Sequence, residues 1–328
     1  MKSRRLGKNG FEVSEIGLGC WQLGGDWGSE IPKAKAFGIM EKAIENGVTL
    51  FDTADVYGSG RSESLIGEFL KKHNNNLKVA TKFGRDASVF PDQYTEKALR
   101  KSVENSLTRL SLDSIDLLQL HCVPQSVLYD GSIFNWLRTL KSEGKIKAFG
   151  ASVESVEEGL LCLEQEGVTS LQVIFNIFRQ KLLNELLPKA FEKNIGIIVR
   201  LPLASGLLTG KFDKETRFLD SDHRNYNKNG DAFNVGETFA GLPFKKGVEL
   251  SNKIKTNYLR NGLTMAQFSL RWILDHEAVT CIIPGASSAS QIEANCDVSE
   301  MDSLDPKLHE QLRAFYNEEV HQHIRGAY

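Results

Sequence analysis

The sequence predicts a (β/α)8 TIM barrel, formed by a single domain over residues 1–328. Eight short apolar runs typical of buried strands alternate with segments whose apolar residues recur at helical spacing, and the composition does not change along the chain. A doubly wound sheet is the alternative, but no Gly-x-Gly-x-x-Gly turn follows the first strand. One uninterrupted series of eight repeats therefore favours the barrel.

The first predicted elements are an N-terminal β-hairpin and the first barrel strand. Residues 5–7 and 11–13 flank Lys8-Asn9-Gly10, and Asn-Gly between extended segments is the strongest short-range signal of a hairpin. The apolar run IGLGCW, residues 16–21, follows as strand one. Its two glycines would allow a ligand or another strand to approach the backbone closely.

The remaining elements follow the same alternation. Short runs of β-branched and other apolar residues predict strands two to eight at 48–51, 78–82, 115–121, 148–152, 171–175, 195–200 and 279–283. Helical spacing predicts helices at 34–46, 62–72, 95–110, 132–142, 155–165, 182–193 and 264–275. Gly47 is expected to end the first helix, and Ser62 and Thr95 are expected to cap the next two.

One long segment, residues 203–247, separates strand seven from its helix and is predicted to lack regular structure. It contains SGLLTGK near its start and the polar run DSDHRNYNKNGD in its middle. Loops of this length within a compact domain are usually lids or binding loops. We therefore expect this long loop to contribute to a ligand site.

The composition is that of an ordinary globular protein. The chain is 41% hydrophobic and 25% charged, and its formal net charge of -2 gives no reason to expect nucleic acid or a membrane as a partner. The five cysteines are scattered, odd in number and without metal-ligand spacing, which is typical of reduced thiols. We therefore expect neither a secretion signal nor a transmembrane span. We predict a cytoplasmic protein without a metal; its oligomeric state is not predicted.

Polar residues stand at the ends of four consecutive predicted strands. Asp52, Lys82, His121 and Ser152 each follow an apolar run. In a barrel the carboxyl ends of the strands lie on one rim, where reacting groups are found, so these four side chains are expected to converge. A buried structural ion pair between Asp52 and Lys82 is the alternative, and His121 alone would equally fit a histidine packed in the core.

Tyr57 follows Asp52 by five residues and adds a phenol to this rim. A cation close to a tyrosine favours the phenolate and lowers the pKa of the phenol from its usual value of about 10. We therefore expect Lys82 to lower the pKa of Tyr57, with Asp52 holding the lysine protonated. His121 would then orient a substrate carbonyl.

Five motifs in barrel order resemble the aldo-keto reductase family over essentially the whole chain. They are FDTADVYGSGRSESLIG, VATKFG, LLQLH, PLASGLLTGK and IIPGASSASQIEAN. The resemblance implies a catalytic tetrad of Asp52, Tyr57, Lys82 and His121. In that tetrad Tyr57 would be the general acid, Lys82 and Asp52 would tune it, and His121 would orient the substrate.

The resemblance also implies a nicotinamide cofactor, because no side chain supplies a hydride. The implied contacts to the nicotinamide half come from Gly19, Cys20, Trp21, Asp52, Ser152, Gln172 and Arg200. Those to the pyrophosphate come from Pro202, Leu203, Ala204, Ser205, Gly206, Lys211 and Arg224, with Arg224 preferred to Arg217. Those to the 2′-phosphate and adenine come from Gly285, Ser287, Gln291 and Asn295.

Several positions depart from the family pattern. Val153 replaces the usual asparagine or arginine, Ala294 replaces a common glutamate, and Arg200 stands where an aromatic side chain often stacks on the nicotinamide. The lysine of strongly NADPH-preferring relatives is Gly285 here, although the hydroxyls of Ser287 and Ser288 remain. The resemblance predicts NADPH as the preferred cofactor, and NADH is not excluded.

The leading hypothesis is an NAD(P)H-dependent oxidoreductase that reduces aldehyde or ketone carbonyls and also runs in reverse. One alternative is a nucleotide-sensing regulatory or scaffold protein on the same barrel, which the histidine His121 disfavours. Another is a Schiff-base lyase that uses Lys82 as its nucleophile, which the neighbouring Asp52 disfavours. The expected substrate is a small carbonyl compound or a sugar. Aromatic residues near the rim would wall an apolar pocket or simply pack, namely Trp21, Trp27, Phe83 and Phe90.

Overall fold

The computed structural model describes residues 1–25, 27–73, 76–260 and 262–328. Eight parallel strands are hydrogen-bonded in chain order, and parallel bridges from Ile16 to Ile282 and from Gly19 to Gly285 join the first strand to the last. The predicted (β/α)8 barrel is confirmed. The strands are the hairpin pair β1 (Ser3–Arg5) and β2 (Glu12–Ser14), followed by the barrel strands β3 (Leu18–Gly19), β4 (Leu50–Asp52), β5 (Lys78–Phe83), β6 (Ile115–His121), β7 (Ile146–Ser152), β8 (Val168–Ile174), β9 (Gly196–Arg200) and β10 (Val279–Ile282).

Helices cover the outside of the barrel. Thr95 caps its helix as predicted, because its side chain accepts a hydrogen bond from the backbone N–H of Ala98. The helices are α1 (Trp21–Gly24), α2 (Lys33–Glu45), α3 (Arg61–Leu70), α4 (Glu96–Leu110), α5 (Gln125–Asp130), α6 (Ser132–Ser142), α7 (Val156–Leu163), α8 (Leu186–Glu192), α9 (His223–Tyr226), α10 (Phe244–Asn257), α11 (Met265–Leu274), α12 (Ala289–Cys296) and α13 (Pro306–Phe315).

The N-terminal hairpin forms as predicted, but its turn is wider than a two-residue Asn-Gly turn. The antiparallel ladder ends at the pair Arg5 and Glu12, and residues 6–11 form the loop. Leu6 turns inward and is fully buried, packed with Val13 and Leu50 in the core inside the barrel. The wider loop lets Leu6 reach the base of the barrel. The free energy gained by burying this side chain outweighs the preference of Asn-Gly for a two-residue turn.

Three predicted elements differ from the structure at their ends or in their type of helix. Trp21 lies in α1 and not in strand one, because the chain leaves β3 after Gly19. Helix α3 starts after Gly60, whose positive φ of 90° makes it the cap, so Ser62 lies inside the helix. The Ser62 hydroxyl donates instead to the backbone carbonyl of Cys20 at 2.9 Å. It thereby ties α3 to the end of β3. The helix predicted at 182–193 is a 3₁₀ turn, Lys181–Asn184, followed by α8.

The long loop after β9 is more ordered than its polar sequence predicts. It contains 3₁₀ turns at Ala204–Thr209, Val235–Glu237 and Phe239–Gly241, and helix α9 lies between them. Asp222 and Asn227 are buried, and the side-chain oxygen of Asn227 accepts from the backbone N–H groups of Ala232 and Phe233. Polar side chains of this loop therefore form hydrogen bonds with the backbone of the same loop. Such bonds leave no periodic pattern in the sequence, so they were not predicted.

Candidate active site

The predicted tetrad residues converge on one rim of the barrel. Asp52 ends β4, Lys82 lies one residue before the end of β5, and His121 ends β6. The Lys82 Nζ lies 2.5 Å from the Asp52 Oδ1 and 3.2 Å from the Tyr57 hydroxyl. The rings of Tyr57 and His121 meet edge to face, with their centroids 5.9 Å apart. Strand ends thus bring together four groups that the sequence separates by up to 69 residues.

Two glutamines complete the surroundings of the Asp52 carboxylate. The Asp52 Oδ2 accepts from the Nε2 of Gln119 at 3.1 Å and from the Nε2 of Gln172 at 2.7 Å. Lys82 also donates to the backbone carbonyl of Thr53 at 2.7 Å. The buried carboxylate is therefore both charge-paired and hydrogen-bonded.

Gln119 was missed by sequence reasoning, although a signal for it exists. It stands two residues before His121 on β6, and residues two apart point to the same face of a strand. A polar residue inside the apolar run LLQLH thus indicates a buried partner. Gln172 was expected to bind the nicotinamide, and the structure shows its amide engaged with Asp52.

Burial reverses the expected pKa shift of Tyr57. Removal of the phenol from water raises its pKa to about 12, and the nearby Lys82 ammonium, which lowers it, does not fully compensate. For Lys82, burial lowers the pKa, but Asp52 and Tyr57 outweigh that effect and raise it to about 12. The phenol therefore remains protonated and the lysine remains charged near neutral pH. The expectation of a lowered tyrosine pKa was wrong.

His121 is held neutral. Burial, together with the positive charges of Lys82, Arg85 and Arg200, lowers its pKa well below 6.5. Its Nδ1 is buried and has no hydrogen-bond partner within the described part of the chain. A neutral imidazole beside the phenol can hydrogen-bond a carbonyl oxygen without competing to protonate it.

Four charged side chains form a second group beside the tetrad, here called the rim ion cluster: Arg85, Glu154, Arg200 and Glu237. Arg85 lies 2.6 Å from Glu154 and 3.5 Å from Glu237, and Arg200 lies 3.4 Å from Glu237. Arg200 also donates to the backbone carbonyl of Val153 at 3.2 Å. The expected stacking of Arg200 on the nicotinamide stays a prediction. The positive charge of Arg200 is paired with Glu237.

The sequence could have predicted part of the rim ion cluster. Arg85 and Glu154 follow β5 and β7 by two residues, so the strand-end rule could have included them. Glu237 comes from the long loop and carries no sequence signal. The ligand atoms of Cys122, Glu154 and Glu237 lie within 4.8 Å of one another, a spacing that a metal ion could bridge. We assign no metal there, because two guanidinium groups already balance these carboxylates.

The residues expected to hold the cofactor begin at the end of β3. Gly19 pairs with Asp52 on one side and with Gly285 on the other. The backbone N–H of Cys20 donates to the Asp52 carbonyl at 2.8 Å. The Trp21 ring stacks on the Tyr57 ring at 5.9 Å and contacts the rings of Trp27 and His223. Trp21 therefore walls the space above the phenol.

The turn after β9 carries strained backbone. Leu201, Ala204 and Ser205 have positive φ values of 50°, 49° and 53°, which non-glycine residues rarely adopt, and Gly206 follows at 99°. The Ser205 hydroxyl accepts from the backbone N–H of Phe239 and donates to the Glu237 carbonyl. Such strain persists only where the surroundings impose it, and it concentrates at ligand sites.

The basic residues of the long loop differ in their surroundings. Lys211 is exposed. Arg224 is bonded through its Nε and NH2 to Asp222, and its guanidinium lies over the rings of Phe218 and Trp27 at 4.5 and 5.0 Å. Arg217 is exposed and pairs only weakly with Glu215. Arg224 is thus held in place toward the strained turn, although Asp222 already neutralises part of its charge.

The segment after β10 ends in the N-terminus of α12. The backbone N–H and the hydroxyl of Ser287 both donate to the Gln291 side-chain oxygen, at 2.7 and 3.2 Å. Ser288 caps the helix by accepting from the backbone N–H of Gln291. Asn295 is buried on the same helix. Gly285, Ser287, Gln291 and Asn295 thus lie in one segment, which Gly285 joins to Gly19 of β3, and their binding of the cofactor stays a prediction.

The turn between Asp52 and Tyr57 contains a buried acid that the tetrad does not use. The Asp55 Oδ2 accepts from the Ser102 hydroxyl at 3.1 Å, and its Oδ1 is buried without a partner among the described residues. Burial raises the pKa of Asp55 to about 7, and the nearby Glu63 carboxylate adds to this effect. Ionised Asp55 therefore destabilises the fold.

We expect Asp55→Asn to stabilise the protein at alkaline pH. Both states carry protonated Asp55 below the unfolded pKa of 3.8; as pH rises toward 7, only the unfolded state releases the proton, so native stability falls. Above pH 7 the variant should gain on the order of 4 kcal/mol, and the gain should vanish toward about pH 4. Urea unfolding at several pH values measures this difference.

A matched control is Asp86→Asn. Hydrogen bonds from Ser88 lower the pKa of Asp86, so this control variant should lose stability relative to the native protein as pH rises, the opposite sign to Asp55→Asn. A gain for Asp55→Asn that is the same at every pH would contradict the raised pKa.

The protein is a (β/α)8 barrel with an aspartate, a lysine, a tyrosine and a histidine close together on one rim. The profile of the aldo/keto reductase family matches residues 15–317. The chain belongs to the aldo/keto reductase family, whose members are oxidoreductases acting on carbonyl compounds and generally use nicotinamide cofactors.

Known proteins match the chain along nearly its full length. The oxidoreductase YqkF of Bacillus subtilis is 30% identical over 99% of this chain and 100% of its own length. The aldo-keto reductase YhdN of the same organism is 31% identical, covering 91% of this chain and 89% of its own. The solved structure of a glycerol dehydrogenase from Gluconobacter oxydans has a TM-score of 0.79 at 28% identity, covering 99% of this chain and 98% of that one.

A second solved structure, the holo form of an aldo-keto reductase from Bacillus halodurans, has a TM-score of 0.77 at 26% identity, and the match covers 96% of each chain.

Among the described residues, no helix is both long and apolar enough to cross a membrane.

Proposed function

We propose that this protein is an NADPH-dependent reductase of small aldehydes or ketones, with Tyr57 as the general acid. The observation that carries the proposal is the chain of contacts from Asp52 through Lys82 to the Tyr57 hydroxyl, at 2.5 and 3.2 Å. This buried series ends on a protonated phenol at the open rim, which suits proton donation to a carbonyl oxygen.

In this mechanism the side chains move and hold protons. Tyr57 donates its proton to the carbonyl oxygen as negative charge develops there, and the Lys82 ammonium stabilises the phenolate that results. Asp52, fixed by Gln119 and Gln172, keeps the lysine charged and oriented. Neutral His121 orients the carbonyl, and Trp21 limits access of water to the phenol.

A bound nicotinamide supplies the hydride. The residues present suit such a cofactor, because the strained turn at Ala204 to Gly206 and the serine-rich N-terminus of α12 lie beside neighbouring ends of β9 and β10. Lys211 and Arg224 would hold the pyrophosphate by charge-assisted hydrogen bonds. Ser152 and Gln172 would contact the carboxamide. We propose NADPH over NADH from the hydroxyls of Ser287 and Ser288.

We further propose that the protein is cytoplasmic and acts on a small molecule. Its five cysteines are all buried free thiols, which fits a reducing compartment. The alternative of a nucleotide-sensing scaffold is weaker, because His121 and Tyr57 are both present and in contact. The reaction is reversible in principle, so alcohols and sugars are substrates to test with NADP.

A substrate panel tests the proposal. We expect aldehydes or ketones to cause loss of NADPH absorbance, with a lower KM for NADPH than for NADH. A clear preference for NADH would contradict the cofactor assignment alone. If NADPH binds but no carbonyl compound or alcohol in a broad panel turns over, the scaffold alternative holds instead.

A further inference from the structure

The rim ion cluster and the adjoining Arg179 together carry more positive than negative groups. Arg179 adjoins the cluster at Glu154, because its NH2 lies 3.5 Å from the backbone carbonyl oxygen of Glu154, and this arginine is only 3% exposed. Three guanidinium groups therefore face two carboxyl groups, Glu154 and Glu237. This excess of positive charge attracts anionic ligands to the cluster.

Two of these guanidinium groups have unused donors. The Nε of Arg200 and the NH1 of Arg179 are both buried and have no hydrogen-bond partner in the described part of the chain. Arg200 is only 9% exposed. Buried donors without partners are uncommon in folded proteins. They indicate either a group that binds a ligand or a loss of folding stability that nothing offsets. A purely structural ion cluster would be expected to use them.

The two carboxyl groups do not contribute equally. For Glu237, burial raises the pKa, but Arg200 and Arg85 outweigh it, so the pKa is lowered. For Glu154, burial and the Glu237 charge raise the pKa. Glu237 is thus the principal anion between the two arginines. Glu154 ionises less readily than Glu237 and therefore contributes less to balancing the arginines.

The cluster faces the same space as the tetrad. The positive charges of Arg85 and Arg200 help to lower the pKa of His121, and the negative charge of Glu237 helps to raise the pKa of Tyr57. Cys122, the residue after His121, has its Sγ 3.5 Å from the Arg200 NH2 and 3.8 Å from the Glu237 Oε1. A molecule whose carbonyl reaches Tyr57 and His121 would therefore extend toward these arginines.

We propose that Arg85 and Arg200 form a carboxylate subsite and that the substrate is a carbonyl compound bearing a carboxylate, whose place Glu237 occupies in the substrate-free protein. This inference rests on the proposed reductase function. Exchange of one carboxylate for another keeps the charge between the arginines unchanged, so displacement of Glu237 does not leave a buried charge unpaired. Arg200 Nε then gains the partner it lacks.

The position of Glu237 fits displacement. It ends the 3₁₀ turn Val235–Glu237 on the long loop and lies outside the barrel strands. Its backbone carbonyl is held by the Ser205 hydroxyl at 3.3 Å, so the loop can stay anchored while the side chain turns away. The side chain is 13% exposed, which leaves it in contact with solvent.

A matched pair of substrates tests the subsite. The full-length protein with NADPH is assayed with a short ω-oxo carboxylic acid and with its methyl ester, and the ratio of the two kcat/KM values is compared among variants. Glu237→Gln removes the competing carboxylate and should raise the acid-to-ester ratio about tenfold. Arg200→Gln and Arg85→Gln should each lower it about tenfold or more.

Glu215→Gln serves as the matched control, because Glu215 lies on the same long loop, is exposed and, within the part of the chain that the structure describes, forms an ion pair only with Arg217. It should leave the ratio unchanged. Arg85→Gln is the second arginine variant in case Arg200→Gln does not fold, since Arg85 follows its strand and is less buried. A ratio that no cluster variant changes would overturn the subsite and leave the reductase function standing.

Binding without turnover separates the two proposals. Hexanoate should quench the fluorescence of the tryptophans at the rim more strongly than hexanamide does, and Arg200→Gln should remove the difference. If hexanoate binds in this way while no carbonyl compound is reduced, the subsite stands and the reductase function fails. If Glu237→Gln instead weakens neutral hydroxylated substrates, Glu237 is itself a hydroxyl acceptor and the subsite is overturned.

Discussion

Tyr57→Phe is expected to lower kcat for carbonyl reduction by about 10³-fold or more while the affinity for NADPH stays nearly unchanged. General acid catalysis contributes roughly 10² to 10⁴ in rate, and no other described group near the phenol can replace it. His121 is neutral with a strongly lowered pKa, and the Lys82 ammonium is held by Asp52. Steady-state kinetics and a fluorescence titration with NADPH measure the two quantities.

The fold should tolerate this change well. The Tyr57 hydroxyl accepts from Lys82, and the lysine keeps its bonds to Asp52 and to the Thr53 carbonyl when the hydroxyl is removed. Tyr94→Phe is the matched control, because among the described residues its hydroxyl donates only to the Gly84 carbonyl, at 2.8 Å. It should retain most of the activity. Undiminished reduction by Tyr57→Phe would remove Tyr57 from the mechanism.

Lys82→Met is expected to destabilise the fold by about 3–5 kcal/mol, because it leaves the carboxylate of Asp52 buried without its cation. Side-chain exposure is 0% for Lys82 and 3% for Asp52, so water cannot compensate. Gln119 and Gln172 still donate to the Asp52 Oδ2, which limits the loss. Urea denaturation measures the change in the free energy of unfolding.

The double variant Asp52→Asn with Lys82→Met separates stability from catalysis. It removes both charges, so most of the lost stability should return, while reduction of carbonyls stays abolished because no ammonium stabilises the phenolate. If the double variant is no more stable than Lys82→Met alone, the pair is not the source of the destabilisation. Recovery of activity in the double variant would contradict the role of Lys82 in proton transfer.

Element types and the rim residues were readable from local patterns. Asp52, Lys82 and His121 each end an apolar run, and a barrel brings such ends to one rim whatever the rest of the chain does. The capping residues and the ends of helices were harder to predict where a contact with a distant part of the chain determines them. Ser62 follows Gly60, and its hydroxyl reaches Cys20 on another element, so the local capping rule did not apply.

The sequence by itself determined the barrel and which polar residues meet at its rim, because strand periodicity and the residues at strand ends are local properties. Only the tertiary structure decided the sign of the Tyr57 pKa shift, since burial sums over the whole surroundings and outweighs one adjacent cation. It also decided that Gln119 and Gln172 fasten Asp52. The pairing of Glu237 with Arg85 and Arg200 joins residues more than 30 positions apart through a loop without periodicity, so no local rule indicates it.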